Sequence, residues 1–247
     1  MRADSAELLS IDGQPVRVAP WRGSRAIATL APLGNSASFD VDCVHQLLSV
    51  LARRHYAEAI TSALPEHEVG AFLAAGFEIK ERLWLLAHPL HAIAKPPYGA
   101  TRRAHRRDHS HVLALDGKAF ETFWRLDEGS LHGALHATPR RRFRVIRPHA
   151  NERSSQLPLV AGYAIFGLAG TSGYLQRLAV DPEYQHRGAA SALVKDGLFW
   201  LSRRGVTTAF VNTQSTNTAA LSLYQHLGFE TQPSGLVVLG ARFGAVL

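Results

Sequence analysis

Leu178-Ala179-Val180-Asp181-Pro182-Glu183-Tyr184-Gln185-His186-Arg187-Gly188-Ala189-Ala190-Ser191 decides how this chain is read: a strand stops at a proline turn and the chain reopens as a helix. Gly188 and Ala190 matter through what they lack. With no bulky side chain in the first turn, an anion can approach backbone N–H groups that have no helical carbonyl partner, and the aligned peptide dipoles favour negative charge there. A diphosphate fits such a turn. Arg187 adds a charge-assisted contact, although the backbone donors do most of the holding.

Working outward, hydrophobic periodicity predicts a helix from Ala189 to Arg203, a strand at Thr207 to Asn212, a helix from Thr218 to Leu227 and strands from Phe229 to Phe243. Upstream it predicts strands at Tyr174 to Val180, Leu159 to Gly167, Phe143 to Arg147 and Val112 to Leu115, with helices over Glu128 to His136 and Ala119 to Trp124. Prolines without periodicity, followed by four arginines, mark a boundary between Pro89 and Arg107. Before it lie a strand at Arg25 to Leu33, a helix from Val41 to Arg53, a strand at Ala57 to Ala63, a short helix from Glu66 to Ala75 and a strand pair within Phe77 to Ala87. This alternation predicts an α/β chain of mixed α+β type, divided into residues 1–95, a linker at 96–104 and a second domain at 105–247. The halves share an order. Ala75-Gly76-Phe77 mirrors Leu227-Gly228-Phe229, and Pro32 mirrors Pro182, which together suggest a degenerate internal repeat.

At 247 residues and 46% hydrophobic, the chain has material for a core and is not a disordered polyelectrolyte. No apolar run is long enough for a bilayer span, the first ten residues do not read as a secretory signal, and Cys43 is the only cysteine. These features predict a cytoplasmic protein with no membrane partner. Residues 1–100 hold 9 Lys/Arg against 10 Asp/Glu, whereas 101–247 hold 18 against 10, so the whole +7 excess lies in the second part. Arginines gather at 102, 103, 106 and 107 and again at 140, 141, 142, 144 and 147, which fits either an anionic partner or solvated loop charge. His105, Asp108, His109 and His111 read as a solvated basic segment and not as a metal site, because neighbouring arginines repel a cation.

Gln185-x-x-Gly188-x-Ala190 after Val180-Asp181-Pro182 resembles the acyl-CoA pyrophosphate loop of the GCN5-related N-acetyltransferase (GNAT) family. Asn217-x-x-Ala220-x-x-x-Tyr224-x-x-x-Gly228-Phe229 resembles that family's second cofactor segment, and Phe123-Trp124-Arg125-Leu126-Asp127 resembles a group of actinobacterial members. The resemblance covers about residues 105–243 and implies a GNAT fold with a splayed central mixed sheet, preceded by a partial, degenerate GNAT-like half-domain. It implies acetyl-CoA as co-substrate, no metal, and a cofactor site built from Leu178, Ala179, Val180, Gln185, His186, Arg187, Gly188, Ala189, Ala190, Ser191, Asn217, Ala220 and Tyr224. Asn217 is also suited to cap the following helix, and both roles can hold together.

Under the same resemblance Tyr224 is the catalytic candidate, a phenol placed to protonate a departing thiolate. No general base is assigned. Ribosomal-protein N-terminal acetyltransferases of the family carry a Glu twelve residues before the Tyr, and here that place is Asn212. The absence tilts the expected acceptor toward a small-molecule primary amine, attacking the thioester directly, over a protein N-terminus or lysine. Phe120 reads as core, with Glu121, Asp127 and Glu128 as weaker candidates for the acceptor wall. Asp40 and Asp42 would repel an anion at the corresponding helix of the first half, which reads as a remnant lacking its first strands. A non-catalytic CoA-binding regulatory module is the rival from another class. A homodimer is an open expectation, and nucleic acid ranks last because neither arginine cluster sits on a recognisable reading element.

Overall fold

The computed structural model describes residues 6–97, 99–148 and 159–243. Parts of the expected domains at 1–5, 149–158 and 244–247, and Tyr98 of the expected linker, lie outside the described residues. In chain order the elements are β1 (Glu7–Ile11), β2 (Gln14–Pro20), β3 (Ile27–Pro32), α1 (Val41–Arg53), β4 (Glu58–Thr61), β5 (Leu64–Pro65), α2 (Gly70–Ala74), β6 (Glu78–His88), β7 (Arg102–Arg103), α3 (His109–Ala119), α4 (Glu128–His136), β8 (Arg140–Ile146), β9 (Gly162–Ala169), β10 (Ser172–Val180), α5 (Ala189–Ser202), β11 (Thr208–Gln214), α6 (Thr218–His226), β12 (Glu230–Thr231) and β13 (Leu236–Arg242). They group into two compact units: unit 1 is 1–85, 212–217 and 232–247, and unit 2 is 86–211 and 218–231.

In unit 1 the strand order is β1-β2-β3-β4-β13-β6, with β3 and β4 parallel and the other neighbours antiparallel. The β1–β2 hairpin turns on Asp12 and Gly13, both at positive φ (48° and 81°), the turn that matches strand twist. Two strands therefore stand where the sequence reading expected the half to lack its first ones. β6 is a further correction, being one continuous strand where a pair was expected, since nothing between Glu78 and His88 supplies a turn. In α1, Asp40 caps the start by accepting from the Cys43 amide at 2.7 Å, and Cys43, Val44, Leu47 and Leu51 form one buried face. That face packs over Val16, Val18, Leu30 and Leu239.

Unit 2 has the order β11-β10-β9-β8-β7, antiparallel except for the parallel pair β10–β11. α5 places Leu193, Val194, Gly197, Leu198 and Leu201 against the sheet. A Cβ built at Gly197 would lie 2.1 Å from the Phe166 ring, so glycine is required there by close approach. Gly197→Ala is expected to lower stability by about 2 kcal/mol, overpacking outweighing alanine's better helix propensity, and urea unfolding measures it. α3 corrects the expected strand at Val112 to Leu115: at helical spacing Val112, Leu115 and Asp116 share one buried face. The expected helix over Ala119 to Trp124 shrinks to a single 3-10 turn at Thr122–Trp124.

The two units repeat one local device. In unit 1 the amide of Phe77 donates to the Phe72 carbonyl at 3.0 Å around Gly76 at φ 91°; in unit 2 Phe229 donates to the Tyr224 carbonyl at 3.0 Å around Gly228 at φ 88°. The ring pairs are similarly spaced, Phe72 to Phe77 at 5.4 Å and Tyr224 to Phe229 at 5.6 Å between centroids, but differently inclined, at 83° and 55°.

Candidate active site

The β10–β11 ladder runs from Ser172↔Thr208 to Leu175↔Val211 and stops. On its other side β10 stays paired to β9 through Val180↔Gly162, with a register shift between Leu175 and Arg177. From Gln176 to Val180, then, one edge of β10 carries backbone donors and acceptors with no strand beside them among the described residues. Leu178 is half-buried, and Ala179 and Val180 are buried.

Past Val180 the chain is fixed by Asp181, whose buried carboxylate accepts from the Glu183 amide at 3.2 Å and pairs with Lys118 at 3.0 Å. A 3-10 turn at Pro182–Tyr184 follows, and the Gln185 side chain returns a bond to the Val180 carbonyl at 3.5 Å. His186 and Gly188 both take positive φ, 59° and 79°, and Arg187 lies 5.2 Å from the Tyr184 ring centroid. No side chain caps α5 at Gly188, and its first turn holds no acid. Gly188 is exposed, and Ala189, Ala190 and Ser191 are half-buried. The start of α5 is the opposite of the start of α1, where Asp40 already occupies the amides and Asp42 adds a second negative charge. Uncapped amides at α5 and an open edge on β10 are what a diphosphate and an amide-bearing arm require, so these residues fit acetyl-CoA.

Tyr224 is 5% exposed within the core formed by Leu86, Phe166, Leu198 and Phe229. Burial pushes its phenol well above the ordinary value, so it carries its proton throughout the neutral range. Ala220 packs half-buried on the same core. Asn217 is half-buried in the turn before α6, its amide donating to the Gln214 carbonyl at 3.0 Å. Asn212 is exposed. Asn212 and Asn217 belong to unit 1, and the loop, Ala220 and Tyr224 to unit 2.

Sequence reasoning missed a buried polar knot at the opening of the sheet. Arg177, just past the β10 register shift, grips fully buried Asp116 with two bonds of 2.8 and 2.9 Å. Tyr163 donates to the same carboxylate, which also accepts from the Leu126 amide at 2.6 Å. Arg177 further donates to the Trp124 carbonyl at 2.7 Å and lies 3.5 Å over the Phe120 ring. Burial raises the Tyr163 phenol, which stays a donor. The knot ties segment 120–127 to the strand beside the opening. Phe120 is accordingly half-buried against the α3 core, Asp127 caps α4 through the Ser130 amide at 2.7 Å, and Glu121 and Glu128 are exposed. Spacing could not have shown this, since Asp116 lies 61 residues from Arg177.

Of the arginine clusters, part is structural. Arg102 holds buried Asp108 through two bonds of 2.8 and 2.7 Å, which keeps that carboxyl far below its usual range. Asp196 of α5 accepts from Arg142 and from Thr101, and Thr101 also accepts from Arg144 at 3.0 Å. Among the described residues no group of three or more ligand-type side chains is placed to hold a metal, and no helix is long and apolar enough to cross a membrane.

The sequence model of the acetyltransferase (GNAT) family matches residues 89–229. A [ribosomal protein bS18]-alanine N-acetyltransferase of Escherichia coli K12 is 35% identical over 81 residues, 33% of this chain and 55% of that protein. A mycothiol acetyltransferase of Salinispora arenicola is 31% identical over 190 residues, 66% of this chain and 57% of that protein. The chain thus spans little more than half the length of both relatives. Among solved structures, a GCN5-related N-acetyltransferase from Kribbella flavida aligns with a TM-score of 0.62 at 15% identity, covering 98% of this chain and 91% of that one. A tandem GNAT protein from the clavulanic acid biosynthesis pathway aligns at 0.65 and 15% identity, covering 94% and 79%. With its splayed mixed sheet and a family match over more than half its length, this chain belongs to the acetyltransferase (GNAT) family.

Proposed function

We propose that the chain is an acetyl-CoA-dependent N-acetyltransferase that delivers an acetyl group to a primary amine by direct attack. One observation carries this reading: the open β10 edge leads straight into the uncapped first turn of α5. Acetyl-CoA would supply an activated thioester. Leu178, Ala179 and Val180 would offer backbone bonds to its arm, Gln185 to Ser191 would hold its diphosphate with Arg187 beside them, and Ala220 would border the remainder. Tyr224 keeps its proton and donates a hydrogen bond to the departing sulfur. Full transfer from a phenol raised by burial to a thiolate, whose conjugate thiol has a pKa of about 8.5, is uphill, so the proton shed by the attacking amine completes the exchange.

A small-molecule amine is the acceptor we favour, supported by the exposed amide at Asn212 and by the mycothiol acetyltransferase, whose match covers twice as much of the chain as that of the bS18 enzyme. The 35% identity to the bS18-alanine enzyme supports the second reading, a protein N-terminal amine. The first half we read as a degenerate half-domain: Phe72 stands where Tyr224 stands and Asp40 fills the helix start, so it retains the packing without the chemistry. The lone buried Cys43 suits a reducing compartment, and we place the protein in the cytoplasm. A thiol-release assay over amines and peptides tests the activity and ranks the acceptors; no release with any amine, alongside tight CoA binding, would leave the regulatory-module reading. In that assay Tyr224→Phe is expected to lower kcat about a hundredfold at unchanged KM for acetyl-CoA. An unchanged kcat removes the phenol from the chemistry.

A further inference from the structure

Unit 2 contains a cleft of about 1070 Å³ bounded by α3, α4, β8, the segment before α3 and Trp200 of α5, and it includes no residue of the 185–191 turn or of α6. Six arginines line it against a single acid, Glu128. Two of the six, Arg142 and Arg144, share the single carboxylate of Asp196. The other four, Arg103, Arg106, Arg107 and Arg141, are exposed and have no ion-pair partner among the described residues. Four exposed guanidinium groups outside any ion pair, against the one carboxylate of Glu128, raise the local positive potential and offer planar forks that match phosphate oxygens.

The rest of the lining is mostly apolar, aromatic or imidazole. Leu113, Leu131 and Leu135 form an apolar floor, and the rings of His132 and His136 stack at 4.0 Å and 28°. His109 and Phe143 lie 5.9 Å apart between centroids, tilted by 48°. Flat rings over an apolar floor suit a planar heterocycle, and the arginines at the rim suit its phosphates. The volume is at the upper end of the small-ligand range, and the four arginines line one concavity, whereas a nucleic-acid strand needs an extended charged track.

We propose that this cleft binds a small phosphorylated ligand of the nucleotide class, at a site separate from the cofactor loop. The test is titration calorimetry of the full chain with adenosine 5′-diphosphate in the presence of saturating CoA, with inorganic pyrophosphate and a short single-stranded oligonucleotide as comparison probes. One saturable diphosphate site is expected, weakened at least about tenfold in the triple variant Arg106→Gln, Arg107→Gln, Arg141→Gln, with CoA affinity and melting temperature unchanged. Among the described residues these three side chains form no ion pair, and the unchanged melting temperature separates loss of binding from unfolding. Absence of saturable binding, equal affinity in the triple variant, or an oligonucleotide that binds more tightly than the nucleotide would each overturn the proposal. The same titrations without CoA, repeated in Gly188→Glu, read the cleft independently of the cofactor loop, so the two assignments fail separately.

Discussion

Gly188→Glu is expected to weaken CoA binding about a thousandfold while leaving the protein folded. Gly188 is exposed at φ 79°, and a Cβ added there meets nothing within 4 Å, so the only local cost is the left-handed backbone, about 1–2 kcal/mol for an L residue. The carboxylate, however, would stand beside the amides that the diphosphate needs. Two unit charges about 4 Å apart near a protein surface interact by about 4 kcal/mol, roughly three orders of magnitude in affinity. Gly188→Ala separates the causes, because it carries the same backbone strain without the charge and should lose tenfold or less. Calorimetric titration with CoA reads both. Wild-type affinity in Gly188→Glu would take the diphosphate away from this turn and, with it, the proposed role of every residue from Gln185 to Ser191.

Asp116→Ala is expected to cost about 3–5 kcal/mol of stability, measured by urea unfolding. The substitution strands the largely buried Arg177 guanidinium without its carboxylate, and breaking such a pair from one side costs more than the pair contributes. It also leaves the Tyr163 hydroxyl and the Leu126 amide without their acceptor. The double variant Asp116→Leu, Arg177→Met should recover much of the loss by removing both charges and filling the volume. If the single variant unfolds before it can be measured, the double one still discriminates: stability near wild type identifies the stranded cation as the cause, and stability as low as the single variant's would assign the loss to packing. Because Arg177 also holds the Trp124 carbonyl and covers Phe120, the double variant should loosen segment 120–127 even where global stability returns.

What the sequence made legible was local. α1 and α4 take their predicted bounds because Asp40 and Asp127 announce them, each carboxylate capping an amide three residues on. The Gly188 turn and the Gly76 and Gly228 helix ends were visible for the same reason, since glycine at positive φ is a property of a few adjacent residues. Two errors arose from short windows. Val112 to Leu115 is apolar enough for a strand, and only the packing of Val112, Leu115 and Asp116 on one side makes it helical. The β1–β2 hairpin carries a strong turn signal at Ile11-Asp12-Gly13-Gln14, but its apolar alternation is only two residues deep on each strand, Leu9 and Ile11 against Val16 and Val18. The knot of Asp116, Tyr163 and Arg177 had no local trace, its members lying on three elements brought together by tertiary structure alone.

The matched helix ends of the two units give this molecule an internal calibration. Phe72 and Tyr224 receive the same backbone bond from a phenylalanine five positions on, past the same glycine turn, and differ by one oxygen atom. What an aromatic ring contributes there as filler can be weighed in the half that has no hydroxyl, which sets a reference against which Tyr224 is read.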